Sequence, residues 1–187
     1  MTERFPLEAP YSGEAIIDAL LALEERSHAF LAALPSDIFF APQGDRWSPA
    51  DHTRHLTKSI GAVAKGLVAP KLVVRMLYGV HVGPSRDLAT VTAVYRARLS
   101  LGVSAGKFAP EPRPTPSDRD GGRAAILGRF RSAGGDLRAA IQRWDAKQLD
   151  RLHLPHPALG KLTVREMCLF TLYHNAHHMR LVAERLS

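Results

Sequence analysis

The chain has one cysteine in 187 residues, Cys168, which excludes an internal disulfide framework and fits a reducing compartment. No apolar run reaches the roughly 20 residues that a membrane-spanning helix needs, so no membrane partner is expected. The opening residues Met1-Thr2-Glu3-Arg4-Phe5-Pro6-Leu7-Glu8 lack the basic and apolar regions of a secretory signal, and a cytoplasmic protein is the expectation. Strand pairs, internal repeats and a glycine-rich phosphate loop are also missing from the pattern, which argues against nucleotide-binding sheets and repeat arrays. The formal net charge is +7, yet the lysines and arginines are scattered, with no basic block or aromatic-interleaved strip. An ordinary basic surface ranks first, an anionic small-molecule substrate second and nucleic acid last, so no nucleic-acid partner is expected.

What is present is helical periodicity. With 45% hydrophobic and 23% charged residues, the chain reads as one domain over residues 1–187, long enough to bury a core without staples. Ser12 is positioned to cap a first helix, in which Ile16, Leu20, Leu23, Ser27, Leu31 and Leu34 recur at three- and four-residue steps up to Pro35. Residues 35–46, with two prolines and a glycine, read as a loop. A second helix starts at Ser48-Pro49-Ala50-Asp51, a cap, a first-turn proline and a capping-box carboxylate, and runs to about Leu67.

The stretch from Ala69 to Asp118 is less regular. Lys71 to Tyr78 suits a short helix stopped by Gly79, Leu88 to Leu99 allows another, and the alternating Pro110, Pro112, Pro114 and Pro116 favour an extended segment. A third long helix carries Ile126, Leu127, Phe130, Ala133, Leu137, Ile141 and Trp144, capped by Ser117, Asp118 or Asp120 and weakened at Gly134 and Gly135. Residues 153–160 form a turn-rich connector, and Thr163-Val164-Arg165-Glu166 opens a fourth helix that reaches about Arg185. The predicted fold is all-α: a four-helix bundle with a long, irregular, partly helical connection between helices two and three. That connection is expected to cover the open end of any site between the helices.

The fourth helix carries His174-Asn175-Ala176-His177-His178. At 3.6 residues per turn His174 and His178 stand one above the other, roughly 6 Å apart along the axis, on the seam of Val164, Met167, Thr171 and Leu181. Burying imidazoles in an apolar seam costs on the order of 1–3 kcal/mol per unsatisfied group. A shared divalent metal would satisfy one nitrogen on each. The glutamate of the HExxH zinc peptidase motif is absent, because position 175 is Asn, so a third ligand must come from elsewhere. His52 and His55 on helix two are both candidates, and periodicity does not choose between them. His177, a quarter turn off the seam, is expected at the surface or bundle edge, and His52, on the stripe of helix two, to be packed. Asp51, one turn before His55, could orient an imidazole or act as a base, but the capping box accounts for it, as it does for Glu166. Cys168 is expected to be a buried apolar residue, not a nucleophile.

Two segments resemble the DinB/YfiT-like superfamily of four-helix-bundle metalloproteins. They are Trp47-Ser48-Pro49-Ala50-Asp51-His52-Thr53-Arg54-His55-Leu56, and His156-Pro157 with Gly160-Lys161-Leu162-Thr163 leading to His174, His177 and His178. The resemblance implies metal ligands at His55, His174 and His178, with Zn²⁺ the first choice and Ni²⁺ the second. It also implies a metal-dependent enzyme acting on a small molecule, as a thiol-dependent S-transferase using a low-molecular-weight thiol or as a metal-dependent hydrolase. The chain departs from many relatives at Leu181, where they carry a polar Gln, which keeps a non-catalytic, stress-related metal-binding bundle or homodimer as the alternative. His55→Ala, His174→Ala and His178→Ala are expected to lower bound metal sharply, and His52→Ala and His177→Ala to change it little, as measured by elemental analysis.

Overall fold

The structure is a computed structural model that describes residues 5–42, 44 and 46–186. It is mostly helical, with one small two-stranded sheet among the described residues. Four long helices dominate: α1 (Gly13–Ala32), α3 (Pro49–Val68), α6 (Arg119–Ile141) and α8 (Val164–Arg185). Helix α6 packs on α1 and α3, and α8 packs on the same two helices. Between them lie the short helices α2 (Ser36–Phe40), α4 (Lys71–Tyr78), α5 (Leu88–Ser100) and α7 (Ala146–Arg151), and a single 3-10 turn, Gly106–Phe108. Among the described residues no helix is long and apolar enough to cross a membrane.

Local chemistry sets where the long helices begin. Asp51 N–H donates to Ser48 Oγ at 3.1 Å and Ser48 N–H returns a bond to Asp51 Oδ2 at 3.2 Å, a complete capping box in front of α3. Thr163 and Glu166 repeat the arrangement at α8, with both bonds at 3.1 Å. Of the three possible caps for α6, Asp118 is used, accepting from Gly121 N–H at 2.9 Å. Gly134 does not interrupt α6: a Cβ there would collide with the buried Glu24 carboxylate, which reaches over the glycine to pair with Arg138. Trp144, expected within this helix, lies beyond its end, where its indole N–H donates to the Leu67 carbonyl at 3.0 Å.

Two expected loops contain structure. Residues 36–40 of the loop 35–46 form α2, because burying Phe39 and Phe40 outweighs the flanking prolines. The connector 153–160 belongs to an antiparallel hairpin, β1 (His153–His156) and β2 (Gly160–Thr163), so the absence of strands is corrected. Four-residue strands containing Pro155 carry too little alternation to be seen in sequence. Leu154 and Leu162, paired across the hairpin, are both buried.

From Val164 to Ala176 helix α8 is buried on all sides, not along one seam, and only beyond it do His177, Arg180, Leu181 and Glu184 form a more exposed stripe. Its polar residues therefore need partners. Arg165, 1% exposed, forks onto Asp150 at 2.6 and 2.9 Å and donates to the Ala146 and Tyr11 carbonyls. Glu166 is gripped by the backbone N–H and guanidinium of Arg86 at 2.8–2.9 Å. Asp150→Asn leaves the buried Arg165 charge uncompensated. It is expected to cost about 3–5 kcal/mol in urea unfolding, well above a surface charge change such as Arg113→Gln.

Candidate metal centre

Three buried imidazoles meet where α3 faces α8. His55 leaves α3 two turns after its cap, and His174 and His178 come from successive turns of α8. His55 Nε2 lies 3.1 Å from His174 Nε2, which lies 3.1 Å from His178 Nε2. One nitrogen from each ring falls within 4.8 Å of the others, so the cluster can hold a metal ion. Nitrogens at about 2.0–2.1 Å from a tetrahedral Zn²⁺ stand about 3.3 Å apart, and the two observed separations are close to that.

Proton counting points the same way. His55 Nδ1 is 2.8 Å from the Phe108 carbonyl, which only accepts, so His55 carries its proton on Nδ1 and presents a lone pair at Nε2. Burial first, and neighbouring imidazoles second, hold the pKa values of His174 and His178 well below the ordinary histidine range, and burial lowers that of His55. All three rings are neutral at physiological pH, the form that ligates metals.

His52 is buried, as expected, but it is not merely packed. Its Nδ1 lies 2.8 Å from His178 Nδ1, while its Nε2 is 3.3 Å from an Arg185 nitrogen. If His178 offers Nε2 as a lone pair, its proton sits on Nδ1 and is donated to His52 Nδ1. His52 then carries its own proton on Nε2, facing a guanidinium that can only donate. The long Arg185 contact belongs to the other tautomer and must open in this one. His52→Ala is therefore expected to weaken metal affinity by about 10–100-fold, in place of the small effect anticipated from sequence.

Other expected residues are placed as follows. Asp51 is occupied by the capping box and by Arg54 at 3.0 Å, and it does not line the adjoining cavity. Glu166 is committed to its cap and Arg86. His177 is half-buried, stacked on Tyr173 at 6.0 Å, and reaches the cavity wall, a place at the bundle edge. Cys168 is fully buried and its thiol is pushed up to about 12, which fits the packing role. Leu181, the position of departure, does not line the cavity.

Three aromatic rings surround the cluster: Trp47 belongs to the segment that carries the family resemblance, whereas Phe170 and Tyr95 were not singled out as site residues from sequence. The Trp47 ring stacks near-parallel to His178 at 6.0 Å and lies 5.1 Å from His55. Phe170, one turn before His174, stacks on it at 5.1 Å, and Tyr95 meets it edge-on at 5.9 Å. The spacing of Phe170 from His174 was a usable signal. Nothing in the sequence pointed to Tyr95, which arrives from α5.

A helical protein with three buried imidazoles able to hold a divalent ion is the class that fold and site define. The family model described as the DinB superfamily matches residues 19–182. The chain belongs to the DinB superfamily. No curated protein and no solved structure compared with it matches.

Burial holds His52 and His156 at a pKa of about 4, against an ordinary value of 6.5. The unfolded chain takes up these protons first, so the stability they contribute is present above pH 6.5 and is lost as pH falls to about 4. The urea midpoint of the metal-free protein is expected to drop between pH 7 and pH 4.5, and His156→Asn to flatten that slope.

Proposed function

We propose that this chain is a metal-dependent enzyme built as a single four-helix bundle. In this reading His55, His174 and His178 hold one divalent ion, Zn²⁺ before Ni²⁺, and the protein transfers a low-molecular-weight thiol to a small electrophile. The observation that carries it is the convergence of three neutral imidazoles on the wall of a partly open cavity, a donor set that leaves coordination positions open. An ion there supplies Lewis acidity, lowering the pKa of a thiol or water that binds it.

The chain's own residues do the rest. His55 is fixed by the Phe108 carbonyl and His178 by His52, so the ligand rings are oriented in advance. Trp47, Phe170 and Tyr95 shield the cluster from water. In the transfer the thiol loses its proton, sulfur bonds to the electrophilic carbon, and the leaving group departs with the electrons of the broken bond. Metal-dependent hydrolysis is the second reading. The thiol reaction is preferred because thiolate sulfur is a soft ligand suited to zinc, and among the described residues no aspartate or glutamate lines the apolar cavity.

The test is to incubate zinc-loaded protein with a panel of low-molecular-weight thiols and 1-chloro-2,4-dinitrobenzene, following the S-conjugate. A conjugate that disappears after chelation and in His174→Ala supports the reading. Metal-dependent cleavage of p-nitrophenyl esters without any conjugate favours the hydrolase, and neither activity with metal bound favours the non-catalytic bundle.

A further inference from the structure

The cavity that ends at the three histidines has a volume of about 410 Å³, within the range of small-molecule sites. Its wall is built from Val63, Val74, Leu99, Leu154, Met167 and Phe170, among others, and among the described residues no aspartate, glutamate, lysine or arginine lines it. This is informative because of where the positive charge lies. Residues 52–110 carry nine lysines and arginines against one acid, Asp87, and the same stretch supplies much of the cavity wall. None of the nine lines the cavity. The basic character of the chain is therefore not directed at a buried anion, and an ionic group in the body of a bound molecule would exchange water for a wall without counter-charge.

The entrance is also apolar. Val73 and Leu77 of α4 line the cavity while remaining 44% and 64% exposed, and Leu72 and Met76 beside them are 68% and 77% exposed.

One group on the wall is a fixed donor. His156 Nδ1 accepts from both Ala158 N–H and Leu159 N–H at 3.1 Å, within the hairpin turn. Two donors at Nδ1 leave the ring proton on Nε2, and that nitrogen has no hydrogen-bond partner among the described residues. The ring abuts Phe170 at 4.3 Å, and Phe170 in turn stacks on His174. His156 thus stands one ring away from the metal-binding cluster. Ser59, another polar residue of the wall, already donates to the Leu56 carbonyl of its own helix.

We propose that this cavity selects a substrate with an uncharged, largely apolar body, and that His156 Nε2–H donates a hydrogen bond to an acceptor on it. The proposal rests on the functional reading only in taking the three-histidine end as the reacting end. His156 is a specificity-determining residue in this scheme.

The probe is the neutral fluorophore N-phenyl-1-naphthylamine, displaced by n-alkanols of four to ten carbons, with protein measured as purified and again after chelation. Each added methylene should tighten binding about three- to fourfold until the cavity is full. Moving a charge into the same volume, with 8-amino-1-octanol in place of 1-octanol, should weaken binding at least tenfold. Val63→Trp, which fills the cavity, should weaken the longer alkanols at least tenfold at an unchanged thermal midpoint. His156→Asn preserves an acceptor for the turn but withdraws the Nε2 donor. It should weaken alkanols about three- to tenfold and the fluorophore hardly at all, with His156→Gln as the second variant if Asn disturbs folding.

A flat dependence on chain length, equal competition by the amino-alcohol, or indifference to Val63→Trp overturns the apolar-substrate proposal. Equal weakening of fluorophore and alkanol in both His156 variants overturns the donor assignment. Alkanol binding by a protein that never takes up metal would overturn the functional reading alone. Metal uptake without alkanol binding would overturn this proposal alone.

Discussion

Helix α8 is surrounded, and that burial is what the remainder of the molecule answers to. A helix exposed on one side can turn its polar residues outward, but α8 carries Arg165, Glu166, Thr171, His174, Asn175 and His178 into the interior. Each group left without a partner there costs about 1–3 kcal/mol, and each ion considerably more. The N-terminal half of α8 is answered from outside itself, by Asp150 of α7 and by Arg86 just before α5. Thr171 answers itself, donating to the Met167 carbonyl at 2.8 Å. In the C-terminal half His174 and His178 are answered by other histidines, while Asn175 Oδ1 is buried with no hydrogen-bond partner among the described residues.

That second solution is incomplete as it stands. Imidazole nitrogens 3.1 Å apart can share a proton, but His55 Nε2 holds a lone pair because its other nitrogen serves Phe108. A proton on His174 Nε2 can point toward His55 or toward His178, not squarely at both. Nε2 positions rich in lone pairs and short of protons describe a place for a cation. The same accounting gives His52 its role, since the two Nδ1 atoms 2.8 Å apart need one proton between them.

The four long helices and their caps were legible because their signals are local: Ser48 with Asp51, Thr163 with Glu166, and apolar residues at three- and four-residue steps. Helix α2 and the hairpin were not, since five residues between prolines, or four beside them, carry no period. The His174 and His178 pairing follows from helical geometry, whereas the preference for His55 over His52 came from the family resemblance. In the fold both are buried within reach of His178, and the difference is which nitrogen each presents. The tautomers that decide this depend on the Phe108 carbonyl beside His55 and on the contact of His52 with His178, at sequence separations of 53 and 126 residues, beyond any local pattern.

The apolar cavity and the neutral histidines are two consequences of one arrangement. Water beside the cluster would stabilise imidazolium and return the ring pKa values toward 6.5, so that protons would compete with a metal for the same lone pairs. Burial is the leading cause of the shift at His55, His174 and His178, and the apolar side chains of Val74, Leu99, Leu154 and Phe170 line the cavity beside them. The same apolar wall strengthens charge interactions at the metal-binding end and offers no counter-charge elsewhere in the cavity. Under the proposed substrate selection, a molecule entering from the α4 rim would be sorted by the property that keeps the ligands ready. Replacing wall residues with ionisable ones would disturb ligation and selectivity together.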